Sequence, residues 1–237
     1  MAPALPEVTY VFHLASGQVE RISLTFDPET FLLHPLDPAG SPSPWTRLTV
    51  HPCPQCPLLG TQTPWCPFAR ALDGFVHRFD AFYSYERSIV EVVTEQRTVV
   101  AQVSLQQAMA SIVGLIGATS GCPTLAFFRP MARFHLPFAS EEETLVRAFS
   151  LHLLENYLRA GGAGEQRVSV DDLEARYAEV ATVNRGMAER VRSAFHKDAL
   201  VNAIIILDTF AQAVPFVVQE ALAELRVIFA PVERPSG

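Results

Sequence analysis

The hydrophobic pattern changes period near residue 104, and that change restricts the fold more than any other feature. Before it, apolar residues alternate. The stretch "YVFHL" (10–14) places Tyr10, Phe12 and Leu14 on one face, and "ERISLTF" (20–26) answers with Ile22, Leu24 and Phe26. Successive side chains of a strand point to opposite faces, so both stretches read as half-buried strands, with "ASGQ" as the turn between them. A second hairpin is expected from "SIVEVVT" and "RTVVAQVS", rich in β-branched residues and joined by a tight polar turn at Glu95-Gln96. Between the hairpins lie a Pro-rich loop, "HPLDPAGSPSPW" (34–45), and a short strand, "TRLTV".

After residue 104 the apolar spacing is helical. "SLQQAMASIVGLIGATSG" reads as an apolar helix ending at Gly121. Ser140 with Glu143 forms a capping box ahead of "EEETLVRAFSLHLLENYLRA", which "GGAG" should stop. Apolar or aromatic residues at 173, 177, 180, 187 and 191 mark a further helix. The last helical region runs from Asp198 to about Phe229, with Pro215 expected to kink or split it. No internal repeat is visible. The expectation is a single α+β domain over 1–237: an N-terminal antiparallel sheet (two hairpins plus a short strand, within 1–104) packed against a C-terminal helical layer (105–237).

Charge narrows the function. The net charge is −7, and the basic residues (17 Arg and Lys197) form no cluster interleaved with aromatics. A nucleic-acid binder needs a basic face, so none is expected. The N-terminus "MAPALPEVTYVF" lacks the charged and apolar regions of a signal peptide. The most apolar stretch, 199–218, contains Asn202, Asp208 and Gln212, which favours a buried helix over a membrane span. A cytoplasmic protein without a membrane is expected, and cysteines there serve more often as ligands or redox thiols than as disulfides.

All four cysteines are followed by proline: Cys53-Pro54, Cys56-Pro57, Cys66-Pro67 and Cys122-Pro123. The first pair has chelating spacing, the third cysteine is close enough to join it through a loop, and a fourth ligand often comes from another element. Pro67 precedes an apolar-periodic run (Leu72, Phe75, Val76, Phe79, Phe82), so Cys66 should cap a helix, and Cys122 likewise. A helix N-terminus lowers a thiol pKa and suits an anionic site. The first reading is therefore an iron–sulfur cluster, of the 4Fe-4S kind by its four thiolates, held by Cys53, Cys56, Cys66 and Cys122 for electron transfer or redox sensing. Zinc stapling an interaction module is the alternative, although Pro57 stands where a zinc knuckle wants positive φ. Unmetallated thiols are the third reading, including a thiol oxidoreductase using Cys53 and Cys56.

The segment "FFRPMARFHLPF" (127–138) offers Arg129, Arg133 and His135 among aromatics. The arginines would offset cluster charge or receive a redox or regulatory protein partner, or else pair with the acids of "SEEE" or Asp80. His135 would carry protons or ligate, with plain packing preferred. His51 would be a fifth ligand or donate a hydrogen bond to a ligating cysteine, with an ordinary strand-end histidine preferred. Asp208, in an apolar helix, is an acid/base candidate if its carboxyl is buried, with pairing to an arginine the commoner outcome. No nucleotide-binding, metalloprotease or serine-hydrolase motif is present. The long apolar helices would serve a core or a homo-oligomer interface equally.

Taken together, "CPQCPL", "IGATSGCP", "RPMARFHLPF" and "LDTFAQAVPF" resemble a family of uncharacterised bacterial proteins classed as a domain of unknown function. The likeness spans nearly the whole chain. It implies one integral domain in which the cysteines and "RPMARFHLPF" belong together, and it implies no activity.

Overall fold

The computed structural model describes residues 5–36, 40–76, 78–79, 83–160, 170–195, 198–225 and 228. Asp80, Phe82, the "GGAG" stop and Phe229 lie outside the described residues. Four antiparallel strands form one sheet: β1 (Glu7–Leu14), β2 (Val19–Thr25), β3 (Arg87–Thr94) and β4 (Thr98–Ser104), in the order β2-β1-β3-β4. Both predicted hairpins are present. Gly17 at φ 83° closes the first, and the backbone pairing of Thr94 with Arg97 closes the second. Register follows from alternation: Tyr10 lies opposite Ile22 and Val92, Phe12 opposite Val90, and Val8 opposite Leu24. All of these are buried, so the sheet has one continuous apolar face.

The helices are α1 (Pro67–Val76), α2 (Leu105–Thr119), α3 (Arg129–Arg133), α4 (Glu141–Arg159), α5 (Val170–Ala194) and α6 (Ala199–Leu225). The architecture is α+β, as its pattern required. Helix α1 lies on the sheet, where Phe79, just beyond its end, packs against Phe12 with ring centres 4.9 Å apart. Helix α2 follows β4 without a linker. It is apolar nearly all round because it is covered nearly all round, by the sheet, α1 and α6. It ends at Ser120, and Gly121 at φ 86° turns the chain away. The Ser140–Glu143 capping box forms as predicted. In α5, Leu173, Tyr177, Val180, Met187 and Val191 are all buried against neighbouring elements.

Two expectations fail. "TRLTV" is not a strand: Pro44–Thr46 form a 3-10 turn, and only an isolated bridge joins Arg47 to Trp65. The facing segment has Pro64 and Pro67 on either side of its two donors, so no longer ladder can grow. Nor does Pro215 split the last helix, because α6 continues through it. One proline removes one backbone hydrogen bond, while Ala211, Val214 and Val218 stay buried on both sides of it.

By length and composition, the Ala199–Val218 part of α6 could cross a membrane, with mean hydropathy 1.8. One face of it packs along α5 and α2, burying Leu200, Ala203, Ile204, Ala211, Val214 and Val218, while Ile205, Phe216 and Val217 are exposed, so the helix is half-covered rather than buried throughout as expected. Its N-terminal residue Asp198 accepts hydrogen bonds from the Ser84 backbone and hydroxyl, and Asn202 donates to the same Ser84. The polar residue Asn202 thus fastens the helix to the loop ahead of β3.

Candidate functional site: two cavities sharing Phe68

The Cys-Pro segment folds as consecutive turns. Cys53 C=O accepts from Cys56 N–H, and Cys56 C=O from Leu59 N–H. Cys66 N–H then donates to Thr46 C=O, and Cys66 C=O accepts from Arg70 N–H as α1 begins at Pro67. Proline therefore starts the helix behind Cys66, as predicted. Cys122 C=O accepts from Ala126 N–H at the start of a 3-10 turn, Leu125–Phe128.

All four cysteines line one cavity of about 240 Å³. Its far wall is α5, through Val183, Gly186, Met187 and Arg190. Gly186 lets α5 come close to the loop, since a Cβ at this position would stand 3.3 Å from Cys53 Sγ, a tight contact. The Arg190 guanidinium donates to the carbonyls of Trp45, Arg47 and His51, so α5 holds the whole loop by its backbone. The Trp45 indole N–H and the Ser43 backbone N–H complete the anchoring on the Asp73 carboxylate of α1.

The metal reading does not survive this geometry. Among the described residues, no group of three or more Cys, His, Asp or Glu side chains is placed to hold a metal ion. Lining a common cavity is a weaker condition than meeting at thiolate–metal bonds of about 2.3 Å. Cys53, Cys56, Cys66 and Cys122 meet the weaker one only, which corrects both the iron–sulfur and the zinc expectation.

Electrostatics correct the remaining thiol readings. Burial pushes the Cys53 thiol up to about 12, and the neighbouring Cys66, Cys56 and Cys122 add to the rise against the pull of Arg190. Burial also raises Cys122, outweighing the N–H groups of Leu125 and Thr124 that were expected to lower it. A redox pair built on Cys53 and Cys56 needs an accessible, acidified thiol. Here all four cysteines are free, and burial keeps the Cys53 thiol neutral at pH 7, the opposite of what an attacking thiol needs.

The other nominated residues lie elsewhere. Arg129 donates to Thr30 C=O, and Arg133 stacks over Phe31 at 5.2 Å. Neither lines the cysteine cavity. His51 ends no strand. Its backbone is left-handed at φ 40°, and its ring stands 3.9 Å from Glu189. Asp208 has its carboxyl raised by burial and accepts from Gln212, one turn on.

His135 faces a second, larger cavity of about 500 Å³. This one lies among α2, α5, α6 and the 125–139 segment. Its walls are mainly apolar: Val113, Gly114 and Ala118 of α2, Leu125, Phe128 and Met131, and Leu207 and Phe210 of α6. Phe68 borders both cavities. Gln107, Ser140 and Glu141 are exposed and mark where the larger one reaches solvent. Polar groups are few. His135 Nε2 and the Tyr10 hydroxyl are 2.6 Å apart, with Ser111 Oγ 2.9 Å from the same hydroxyl. Arg147 of α4 donates to the carbonyls of Met131 and Phe134. Tyr177 is fully buried, and its hydroxyl has no hydrogen-bond partner among the described residues.

Burial, reinforced by the Arg147 charge, holds His135 down to about 3. An unfolded chain protonates this imidazole near its ordinary value of about 6.5. The unfolded state therefore binds the extra proton across the window between those values. This stability is complete above the upper value and is lost as pH falls toward the lower. A single such group contributes a slope of roughly 1.4 kcal/mol per pH unit. The His135→Asn variant, followed by urea unfolding between about pH 4 and 6, is expected to lose that part of the slope. An unchanged slope would mean that His135 takes up its proton in the folded state.

A family model described as a domain of unknown function, DUF6901, matches residues 8–230. The chain belongs to this family. The DUF6901 match begins in β1 and includes both cavities and all four cysteines. No curated protein and no solved structure matches the chain.

Sequence reasoning nominated the cysteines and His135 but missed Arg147, Tyr177, Gly186 and Arg190. Gly186 carried a signal, since a glycine within a helical pattern marks a close approach. Arg190, beside the apolar positions 187 and 191, carried another. Tyr177 looked like one more core position.

Proposed function

We propose that this chain binds a small, mainly apolar molecule in the larger cavity. The supporting observation is the cavity itself, about 500 Å³. Protein interiors approach crystal density and leave few voids larger than a water molecule. Ligand sites fall at about 300–1,000 Å³, with apolar walls for affinity and a few polar groups for orientation. That combination is present here, with Arg147, Tyr177 and His135 as the polar minority. A cytosolic setting belongs to the reading, because free thiols such as these persist in a reducing compartment. The net charge of −7 supports a small-molecule ligand over a nucleic acid.

Titration with a neutral fluorescent probe, N-phenyl-1-naphthylamine, tests the proposal. Saturable one-to-one binding is expected. Ala118 is buried on the cavity wall, so Ala118→Leu should fill part of the space and weaken binding about tenfold, with the thermal transition still cooperative. No saturable binding, or equal affinity in that folded variant, would overturn the proposal.

A further inference from the structure

We infer that Asn184 anchors the ligand of the larger cavity, by an uncharged head that both donates and accepts hydrogen bonds; this rests on the binding function proposed above. Helix α5 presents Tyr177, Val180 and Asn184 to this cavity at i, i+3 and i+7, one face of the helix. Val183, Gly186, Met187 and Arg190 line the cysteine cavity instead. Asn184 therefore lies inside the fold, and it is only 4% exposed. Neither polar atom of its carboxamide bonds a described residue, and neither is sealed from solvent, so the little surface that Asn184 keeps includes both. For a buried residue in a cavity wall, that surface belongs to the cavity. An amide taken from water without a new hydrogen bond is costly, and buried amides are nearly always paired.

The other polar groups of the wall are engaged, sealed or at the rim. His135 and Ser111 share the Tyr10 hydroxyl, Thr144 donates to Ser140 C=O, and Arg147 holds the carbonyls of Met131 and Phe134. The Tyr177 hydroxyl has no accessible surface. Gln107, Ser140 and Glu141 are exposed. Among the described residues, that leaves Asn184 as the open polar group of the interior. Its Oδ1 accepts and its Nδ2 donates, so a complementary head supplies a proton and a lone pair side by side. An ionised carboxylate has no proton for Oδ1, and an ammonium has no lone pair for Nδ2. A primary amide has both. Water can satisfy these atoms in the unliganded protein, and a ligand that displaces it loses affinity unless its own groups reproduce those hydrogen bonds. Val180 on the same face of α5, with Leu207 and Phe210 of the neighbouring α6, provides apolar wall for a tail.

Octanamide and 2-nonanone are compared by displacement of N-phenyl-1-naphthylamine. The two have the same shape, with an amino group in one where the other has a methyl, so only the amide donates. Octanamide is expected to displace the probe. Asn184→Leu keeps the branched shape and removes both polar atoms, and it should weaken octanamide about tenfold more than 2-nonanone. Asn184→Ala is the second variant. It adds no atom to the wall and should shift the ratio of the two affinities in the same direction, which a steric effect of leucine would not. Both variants should keep a cooperative thermal transition, since the amide they remove has no partner among the described residues. An unchanged ratio in either folded variant, or failure of octanamide to displace a bound probe, would overturn the head-group inference and leave the cavity as a binding site. Failure of the probe itself to bind would overturn the cavity reading, and this inference with it.

Discussion

Replacing Arg190 with methionine is expected to destabilise the protein by about 3 kcal/mol, because three backbone carbonyls lose their donor at once. The carbonyls belong to Trp45, Arg47 and His51, on the loop that carries three of the four cysteines. Methionine keeps much of the stem's volume, so the effect isolates the guanidinium. Burial disfavours this cation, and the protonated Cys53 thiol beside it brings no negative charge at pH 7. What holds it is the fork of donors. Arg190→Lys retains the charge and loses the planar fork, so it should recover less than half of the difference. For a chain of this length the methionine variant should melt about 6–12 °C lower. Thiol labelling should also change, with Cys53 reacting faster once the loop leaves Gly186. A melting temperature within a degree or two of the parent would mean that those carbonyls reach water and that the clamp contributes little.

Phe68→Ala should cost more, about 3–5 kcal/mol for a buried aromatic truncated in a packed core. Phe68 is 1% exposed, the residue after the Cys66-Pro67 helix start, and part of the wall of both cavities. Gly117 of α2 fits against it so closely that a Cβ there would approach the ring to 3.1 Å. The ring cannot be replaced by inward movement of α2, which the sheet, α1 and α6 already hold. Truncation therefore removes the partition between the apolar cavity and the thiol cavity. Beyond the lower stability, the expected signature is faster modification of Cys66 by an apolar maleimide. Phe68→Leu should retain most of the partition and most of the protection. If Phe68→Ala labels no faster than its parent, the two cavities are separated by other groups.

The sheet was legible because alternation is a local property. Each β1 residue declares its face by parity, and Val8, Tyr10 and Phe12 needed only Leu24, Ile22 and Val90 opposite them to form one apolar surface. Helix ends were legible for the same reason: Ser140 with Glu143, Gly121 and Cys66-Pro67 act within a few residues of chain. "TRLTV" misled because its propensity favoured a strand, while the prolines that deny it a partner lie about twenty residues away in sequence. Only Pro67 starts a helix; behind Cys122 the helix expected at Pro123 is replaced by a 3-10 turn that begins at Leu125. The four cysteines do line one space. Their spacing suggested a point of convergence and the fold supplied a lined cavity.

By itself, the sequence determined the order of elements, the faces they bury and the helix start behind Cys66, since each depends on neighbours within about one turn or one hairpin. Tertiary structure alone decided the chemistry. Only the packing of α5 against the loop brings Arg190 and Gly186 to the thiols, and only the docking of α4 beside the 125–139 segment brings Arg147 to the carbonyls of Met131 and Phe134. Solvent exclusion then inverts what the chain suggested. Cys122 at a helix start is less acidic than an ordinary thiol, and His135 carries no charge, because desolvation outweighs the local dipoles that a sequence displays.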